Sequence, residues 1–335
     1  MHSFDLETDP ILEVRGLTKR FPIGSIFKTR YVHAVESVSF SVGRGQVVAL
    51  VGESGSGKTT TIRMIARLIQ ATGGEIRFKA ADMLKTEPRQ ASLHYHRLVQ
   101  LIFQDPFASL NPVYTIEHHL ARPLMIHKKV KNRHELSERV CSLLETVELK
   151  PAHEIAHRYP HQLSGGQRQR VAIARALAVD PELILADEPI SMLDVSIRMG
   201  VLNLIAKLKE ELGIAFVYIT HDLASARYVG DSIMVMYAGH MVEGGESEEI
   251  IGGAVHPYTQ LLLSAVPDPR AGLRTRKEVE ARGEAPSLID PPPGCPFAPR
   301  CPRVMDICRQ VMPGPTTIKP GHWVRCHLFG PGVVS

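Results

Sequence analysis

Residues 52–59, GESGSGKT, restrict what this chain can fold into more than any other stretch. The apolar run VVALV precedes them and TTIRMIARLI follows. The order is therefore buried strand, glycine-rich loop, helix, and G-x-x-x-x-G-K-[ST] is credible in that setting. Glycines let the backbone wrap so that successive N–H groups point inward, and the helix start adds its dipole; both suit phosphate. Lys58 is placed to reach β- and γ-phosphates, and the Thr59 hydroxyl to ligate Mg²⁺. The expected phosphate-binding set is Gly52, Ser54, Gly55, Gly57, Lys58, Thr59 and Thr60.

Further apolar runs read as strands of a parallel sheet: QVVALVG (46–52), VQLIFQ (99–104), LILAD (183–187), AFVYIT (215–220) and SIMVMYAG (232–239). Helical patterns lie between them. In SIRMGVLNLIAKLKEELG, Ile197, Val201, Leu204, Ile205, Leu208 and Leu212 recur at helical spacing, and Gly213 supplies the stop. This alternation predicts an α/β layered fold. Residues 115–160 are rich in His, Lys and Glu and read as a helical insertion. From about 251 Pro and Gly become frequent, and PSLIDPPPGCPFAPRCP fits neither helix nor central strand. That tail is expected to be a separate appendage.

With 335 residues, 44% of them hydrophobic, the chain can bury more than one core. Its net charge of +4 balances 39 basic against 35 acidic residues, and no basic run forms a nucleic-acid footprint. MHSFDLETDP lacks the apolar segment of a signal peptide, and no run of 18 apolar residues could span a bilayer. A soluble, cytoplasmic protein is expected.

LILADEP ends in two adjacent acids at the C-terminal end of a strand, where ligands sit in open α/β sheets. Asp187 is expected to hold the Mg²⁺ shell, and Glu188 to orient or deprotonate the attacking water. Gln104 and His221 each end a strand and complete the set: Gln104 toward the metal or its water, His221 toward the γ-phosphate. A second glycine loop, LSGGQ, leads into RQRVAIARALA. Ser164, Gly165 and Gly166 offer a hydroxyl and N–H groups at a helix start, a donor set for a γ-phosphate. Serving a partner's nucleotide, two subunits facing head to tail would sandwich two ATP molecules.

GESGSGKT, the glutamine of LIFQDP, LSGGQRQR, LILADEP, SMLD and ITHD occur in this order. Across roughly residues 11–250 the chain resembles the ATP-binding subunit of an ABC transporter. The resemblance implies a P-loop NTPase cassette with a RecA-like core, an antiparallel β portion and a helical subdomain at about 106–170, then an irregular cysteine-containing extension at 251–335. By resemblance Lys58 and Thr59 match Walker A, Asp187 Walker B and Glu188 the catalytic glutamate. Gln104 matches the Q-loop, Ser164 to Gln167 the signature, Asp194 the D-loop and His221 the switch histidine. Phe21 and Tyr31 compete to stack on adenine.

FQDPFASLNP, HPYTQLLLSAVPDP and GCPFAPRCP look like the peptide/nickel importer group, and LIQATGGEIRF with SLNPVYTIEHHLARPL like its F-type ATPase. That implies a second, non-identical ATPase, two transmembrane permeases, an extracytoplasmic solute-binding protein, and a place on the cytoplasmic face of the inner membrane. The segment after Gln104, with Phe107, Leu110, Val113 and Tyr114, is expected to dock a permease. An alternative is a non-transport ABC ATPase acting on nucleic acid or the ribosome. About 105 residues between the two glycine loops leave no room for long heptad arms, and one cassette is present rather than two.

Four of the five cysteines form Cys295-x5-Cys301-x6-Cys308-x17-Cys326. Clustered thiols in a reducing compartment suit metal better than disulfides, yet the C-x₂-C knuckles of structural zinc are missing. The importer resemblance allows a [4Fe–4S] cluster on these four. Zinc, metal-free thiols and disulfides remain alternatives.

Overall fold

The computed structural model describes residues 9–25, 28–265 and 286–330. Residues 1–8 of the N-terminal segment read above, and the VPDP end of the importer-like phrase, lie outside the described residues. In chain order the strands are β1 (Leu12–Ser25), β2 (Lys28–Val42), β3 (Val47–Val51), β4 (Gly73–Phe78), β5 (Ala81–Asp82), β6 (Val99–Ile102), β7 (Leu183–Asp187), β8 (Ala215–Thr220), β9 (Ser232–Tyr237), β10 (His240–Glu246), β11 (Thr316–Lys319) and β12 (His322–Val324). The chain divides into two compact units.

The first unit combines Met1–Gly43, Val47–Thr86 and Thr220–Ser335. It holds an antiparallel sheet in the order β2-β1-β4-β5. On β1, Leu12 and Val14 are buried while Glu13 and Arg15 are half-exposed, the period of two that a one-sided sheet requires. A register shift between Val14 and Leu17 then breaks this alternation, and Leu17 is the next buried position. The same unit carries the strand run β11-β12-β10-β9-β3. Within it β3 and β9 are parallel and every residue of both is buried, which explains their unbroken apolar sequences.

The second unit combines Arg44–Gln46 with Glu87–Ile219. Its strands β8, β7 and β6 are parallel, and β7 and β8 are buried throughout. The expected helical insertion is present as Ile116–Ile126, Arg133–Thr146 and Ala152–Ala156. Thr115 and Asn132 cap the first two by accepting from the His118 and Glu135 N–H groups. Helix Val195–Leu212 ends at Gly213 with φ +62°, as its spacing predicts.

The tail is no separate appendage. Its β12 pairs antiparallel with β10, Glu243 facing Val324 and Gly244 facing Trp323. The fully buried Glu243 carboxylate accepts from the Val255 N–H at 2.8 Å and the His256 N–H at 3.2 Å, and meets His322 Nε2 at 2.8 Å. A three-residue strand among prolines and glycines has too short a pattern for periodicity to reveal it.

Candidate nucleotide site

The phosphate loop belongs to the first unit. Strand β3 delivers Gly52, and helix Lys58–Ile65 starts behind Gly57 without a side-chain cap. Gly57 has φ +102°, and a Cβ there would stand 2.4 Å from the Ala34 carbonyl oxygen, so this position admits glycine alone. The buried Lys58 ammonium turns into the loop, donating to the Gly52 carbonyl at 2.7 Å and the Glu53 carbonyl at 2.9 Å. Ser54 and Gly55 are exposed; Thr59 and Thr60 are half-buried in the first helical turn. His221, also in this unit, is exposed after β8 and is followed by Asp222, which caps helix Leu223–Val229.

Sequence reasoning missed the loop's second residue. The Glu53 N–H donates to the Tyr258 hydroxyl at 2.8 Å. Its carboxylate accepts from both ends of the Arg300 guanidinium, at 2.8 and 3.1 Å. Tyr258 and Arg300 follow position 251, so residues of the tail contact the phosphate loop. The sequence separation of 247 between Arg300 and Glu53 leaves no local signal that could have announced the pair.

In the second unit, Asp187 closes β7 and is buried. Glu188 follows with φ +42°, a left-handed backbone uncommon for a side chain of this size. Its N–H donates to the Ile219 carbonyl at 3.1 Å, and its carbonyl accepts from the Ser191 hydroxyl at 3.0 Å. Gln104 Nε2 donates to the Glu188 carboxylate at 3.2 Å, so the structure brings these two together.

Ser164 is the N-cap of helix Gly165–Leu177. Its hydroxyl accepts from the Gln167 N–H at 3.3 Å, while the Gln167 amide oxygen accepts from the Ser164 N–H at 3.0 Å. S-x-x-Q is the sequence form of this reciprocal capping box. Gly166 packs so closely on helix Val195–Leu212 that a Cβ would stand 2.3 Å from Ile197 Cγ2. Asp194 begins that helix, exposed and beside the exposed Met192 and Val195.

Phe21 pairs with Val32 and Pro22 with Tyr31, which puts the two candidate aromatic rings on opposite faces of the β1–β2 ribbon. A single adenine can stack on one of them only. Both are exposed, and the Lys19 ammonium lies 4.8 Å from the Phe21 ring centre.

Of the docking segment, Phe107, Val113 and Tyr114 are exposed. Leu110, expected with them, is buried and belongs to the packing. Beside them a groove of about 410 Å³ is lined by Tyr114, His119, Arg122, Ile126, His127 and Arg175. Burial pushes the His119 and His127 imidazoles below their ordinary range. The Arg168 guanidinium lies 4.1 Å from the Phe107 ring centre, fixing that ring beside the signature helix.

Cys295, Cys301, Cys308 and Cys326 all line one cavity of about 10 Å³, room for at most one water. Burial raises the Cys295 thiol to about 11, helped by the other three sulfurs, and also raises Cys301 and Cys326. Among the described residues, no group of three or more His, Cys, Asp or Glu is set to hold a metal ion. The residues as placed do not fit a [4Fe–4S] cluster, and neither that expectation nor the zinc reading finds support.

The ABC transporter family profile matches residues 35–191, and the profile for the oligopeptide/dipeptide transporter C-terminal region matches 242–308. The oligopeptide transport ATP-binding protein AppF of Bacillus subtilis is 44% identical over 325 residues, 96% of this chain and 98% of AppF. The dipeptide transport ATP-binding protein DppF of Haemophilus influenzae is 43% identical over 92% of this chain and 93% of its own. Among solved structures, the dimeric post-hydrolysis ATP-binding cassette MJ0796 bound to ADP and Pi matches with a TM-score of 0.60 at 30% identity, covering 70% of this chain and 98% of that one. CbiO1 of Clostridium perfringens, part of the ABC transporter complex cbiONQ, matches with a TM-score of 0.62 at 25% identity, covering 73% and 92%. With its P-loop cassette and its matching C-terminal region, the chain is an ABC-type ATPase and belongs to the ATP-binding subunits of the oligopeptide/dipeptide transporter family.

Proposed function

We propose that this subunit hydrolyses ATP to drive import of a peptide-like solute through a permease complex. Gly52, Ser54, Gly55, Gly57, Lys58, Thr59 and Thr60 take the phosphates, and Thr59, Asp187 and Gln104 surround the Mg²⁺. Glu188 positions the attacking water, and His221 faces the γ-phosphate. Ser164, Gly165, Gly166 and Gln167, with Asp194, serve the nucleotide of a second, non-identical ATPase, so that two ATP molecules are sandwiched between opposite chains. MJ0796, dimeric with ADP and Pi bound, supports that reading by likeness. Two permeases receive the motion and an extracytoplasmic binding protein delivers the solute, which places this subunit on the cytoplasmic membrane face. No helix among the described residues is long and apolar enough to cross a membrane.

The contact between Gln104 and Glu188 carries the proposal. It ties the water-positioning carboxylate to the segment that bears the exposed Phe107, Val113 and Tyr114. A γ-phosphate or metal that draws Gln104 away therefore moves the segment, and a docked permease feels the shift. Cysteines introduced at 107, 113 and 114 should cross-link to permease loops with a yield that depends on nucleotide. Absence of any cross-link in every nucleotide state would remove the coupling role.

A further inference from the structure

Arg300 stands one residue before Cys301, in the short 3₁₀ turn Ala298–Arg300, with its side chain 9% exposed. Its guanidinium rests near the Tyr237 and Phe297 rings, 5.7 and 5.9 Å from their centres. It reaches the Tyr237 hydroxyl at 3.3 Å and forks onto the Glu53 carboxylate. The fork raises the basicity of a group that is always charged at physiological pH. Tyr258, fully buried, packs at a tilt against Tyr237 with ring centres 4.5 Å apart and receives the Glu53 N–H. Every polar group of Glu53 is thus engaged. Lys58 takes the carbonyl, Tyr258 the N–H and Arg300 the carboxylate.

We propose that Arg300 is a positioning residue for ATP binding, holding the phosphate loop from the cysteine-bearing lobe through its ion pair with Glu53. Two physical effects lead there. A carboxylate inside a phosphate-binding loop opposes the ligand's negative charge, and a fixed guanidinium beside it cancels that opposition. The two-pronged geometry also fixes the loop's second residue, so the backbone arrives already shaped for phosphate. Because Arg300 and Cys301 share one tight turn, any rearrangement of the four thiols moves the guanidinium and is felt as a change in ATP affinity.

This inference rests on the assignment of residues 52–59 to phosphate, and the experiment separates the two. In the full-length chain, KM and kcat for ATP and the Kd of a fluorescent ATP analogue are measured for Arg300→Ala, Arg300→Lys, Arg300→Ala/Glu53→Gln and Lys58→Ala. Arg300→Ala should raise KM and Kd about tenfold with kcat nearly unchanged, the scale of losing hydrogen bonds to a charged group. Arg300→Lys, which keeps the charge but not the fork, should lie between it and the native chain. Removing the stranded carboxylate in Arg300→Ala/Glu53→Gln should recover most of the affinity, which a merely structural role for Arg300 would not do. Native KM in Arg300→Ala, with binding lost in Lys58→Ala, overturns the role of Arg300 alone. Undiminished binding in Lys58→Ala overturns the phosphate assignment and this inference together. If Arg300→Ala does not fold, native KM in Arg300→Lys overturns it equally.

Discussion

Helix Lys58–Ile65 and helix Gly165–Leu177 both start behind a glycine-rich loop, yet their first turns are arranged differently. The first begins at Gly57, in a left-handed conformation and with no side-chain cap, and a buried ammonium is folded into the loop. The second begins at Ser164 and closes on itself through the Ser164–Gln167 box. One helix start is shaped to receive an anion from outside. The other is complete without one, and so can be presented ready-made to a ligand held elsewhere. Similar composition therefore gives two different helix starts, and the capping residue distinguishes them.

The largest test of this contrast is Glu188→Gln. If Glu188 positions the attacking water, as proposed, turnover should fall by about 10²–10⁴-fold with ATP binding intact. Closed dimers should then accumulate in ATP, seen by size-exclusion chromatography. Native hydrolysis rates would remove Glu188 from the chemistry. Next comes Ser164→Asn, which preserves a cap but loses the hydroxyl. If the signature loop only caps its own helix, ATPase activity stays native. If the hydroxyl serves a partner's phosphate, activity falls by about 10²-fold, the size of losing one preorganised donor.

Gly166→Ala sharpens the same contrast through packing. The added methyl meets Ile197, so unfolding should cost about 1–3 kcal/mol less, read as a lowered denaturant midpoint. Adding Ile197→Ala should restore much of that loss. The smallest effect concerns acid. His256 is buried, its imidazole is depressed to about 4, and its Nδ1 accepts the Tyr258 N–H at 3.0 Å at the start of helix Pro257–Ser264. The unfolded chain binds this proton nearer pH 6.5, so the stabilisation is complete above that pH and is lost as pH falls toward 4. Melting temperatures should fall by a few degrees over that window, and His256→Asn, able to cap without titrating, should flatten the slope.

Strands β3, β7, β8 and β9 were legible because burial on both faces writes itself as an unbroken apolar run. Strands β1 and β2 were not located individually, because register shifts after Val14 and Leu17 interrupt the alternation that would betray them. Within the site, the motif residues announce themselves by spacing. Glu53 occupies a variable position of its motif, and its meaning depends on an arginine 247 residues away. Leu110 and Val113 look equally apolar in sequence, and only the fold buries one and exposes the other. The four cysteines were read as a metal set from their clustering and the importer resemblance, neither of which carries information on the volume enclosed between them.

The pairing of β12 with β10 has a practical consequence. A chain ended after the helix Pro257–Ser264, as one might cut it to obtain a minimal cassette, would lose β11 and β12. It would leave the inner strand β10 with an open row of amide and carbonyl groups, a template for pairing with other chains. The buried Glu243 would lose its contact with His322 in the same step, and Glu53 its guanidinium. Such a shortened protein should express as aggregate even with every ATP-binding motif in place. The length needed to keep that edge covered is set by a sheet border, and it extends well past the last nucleotide motif.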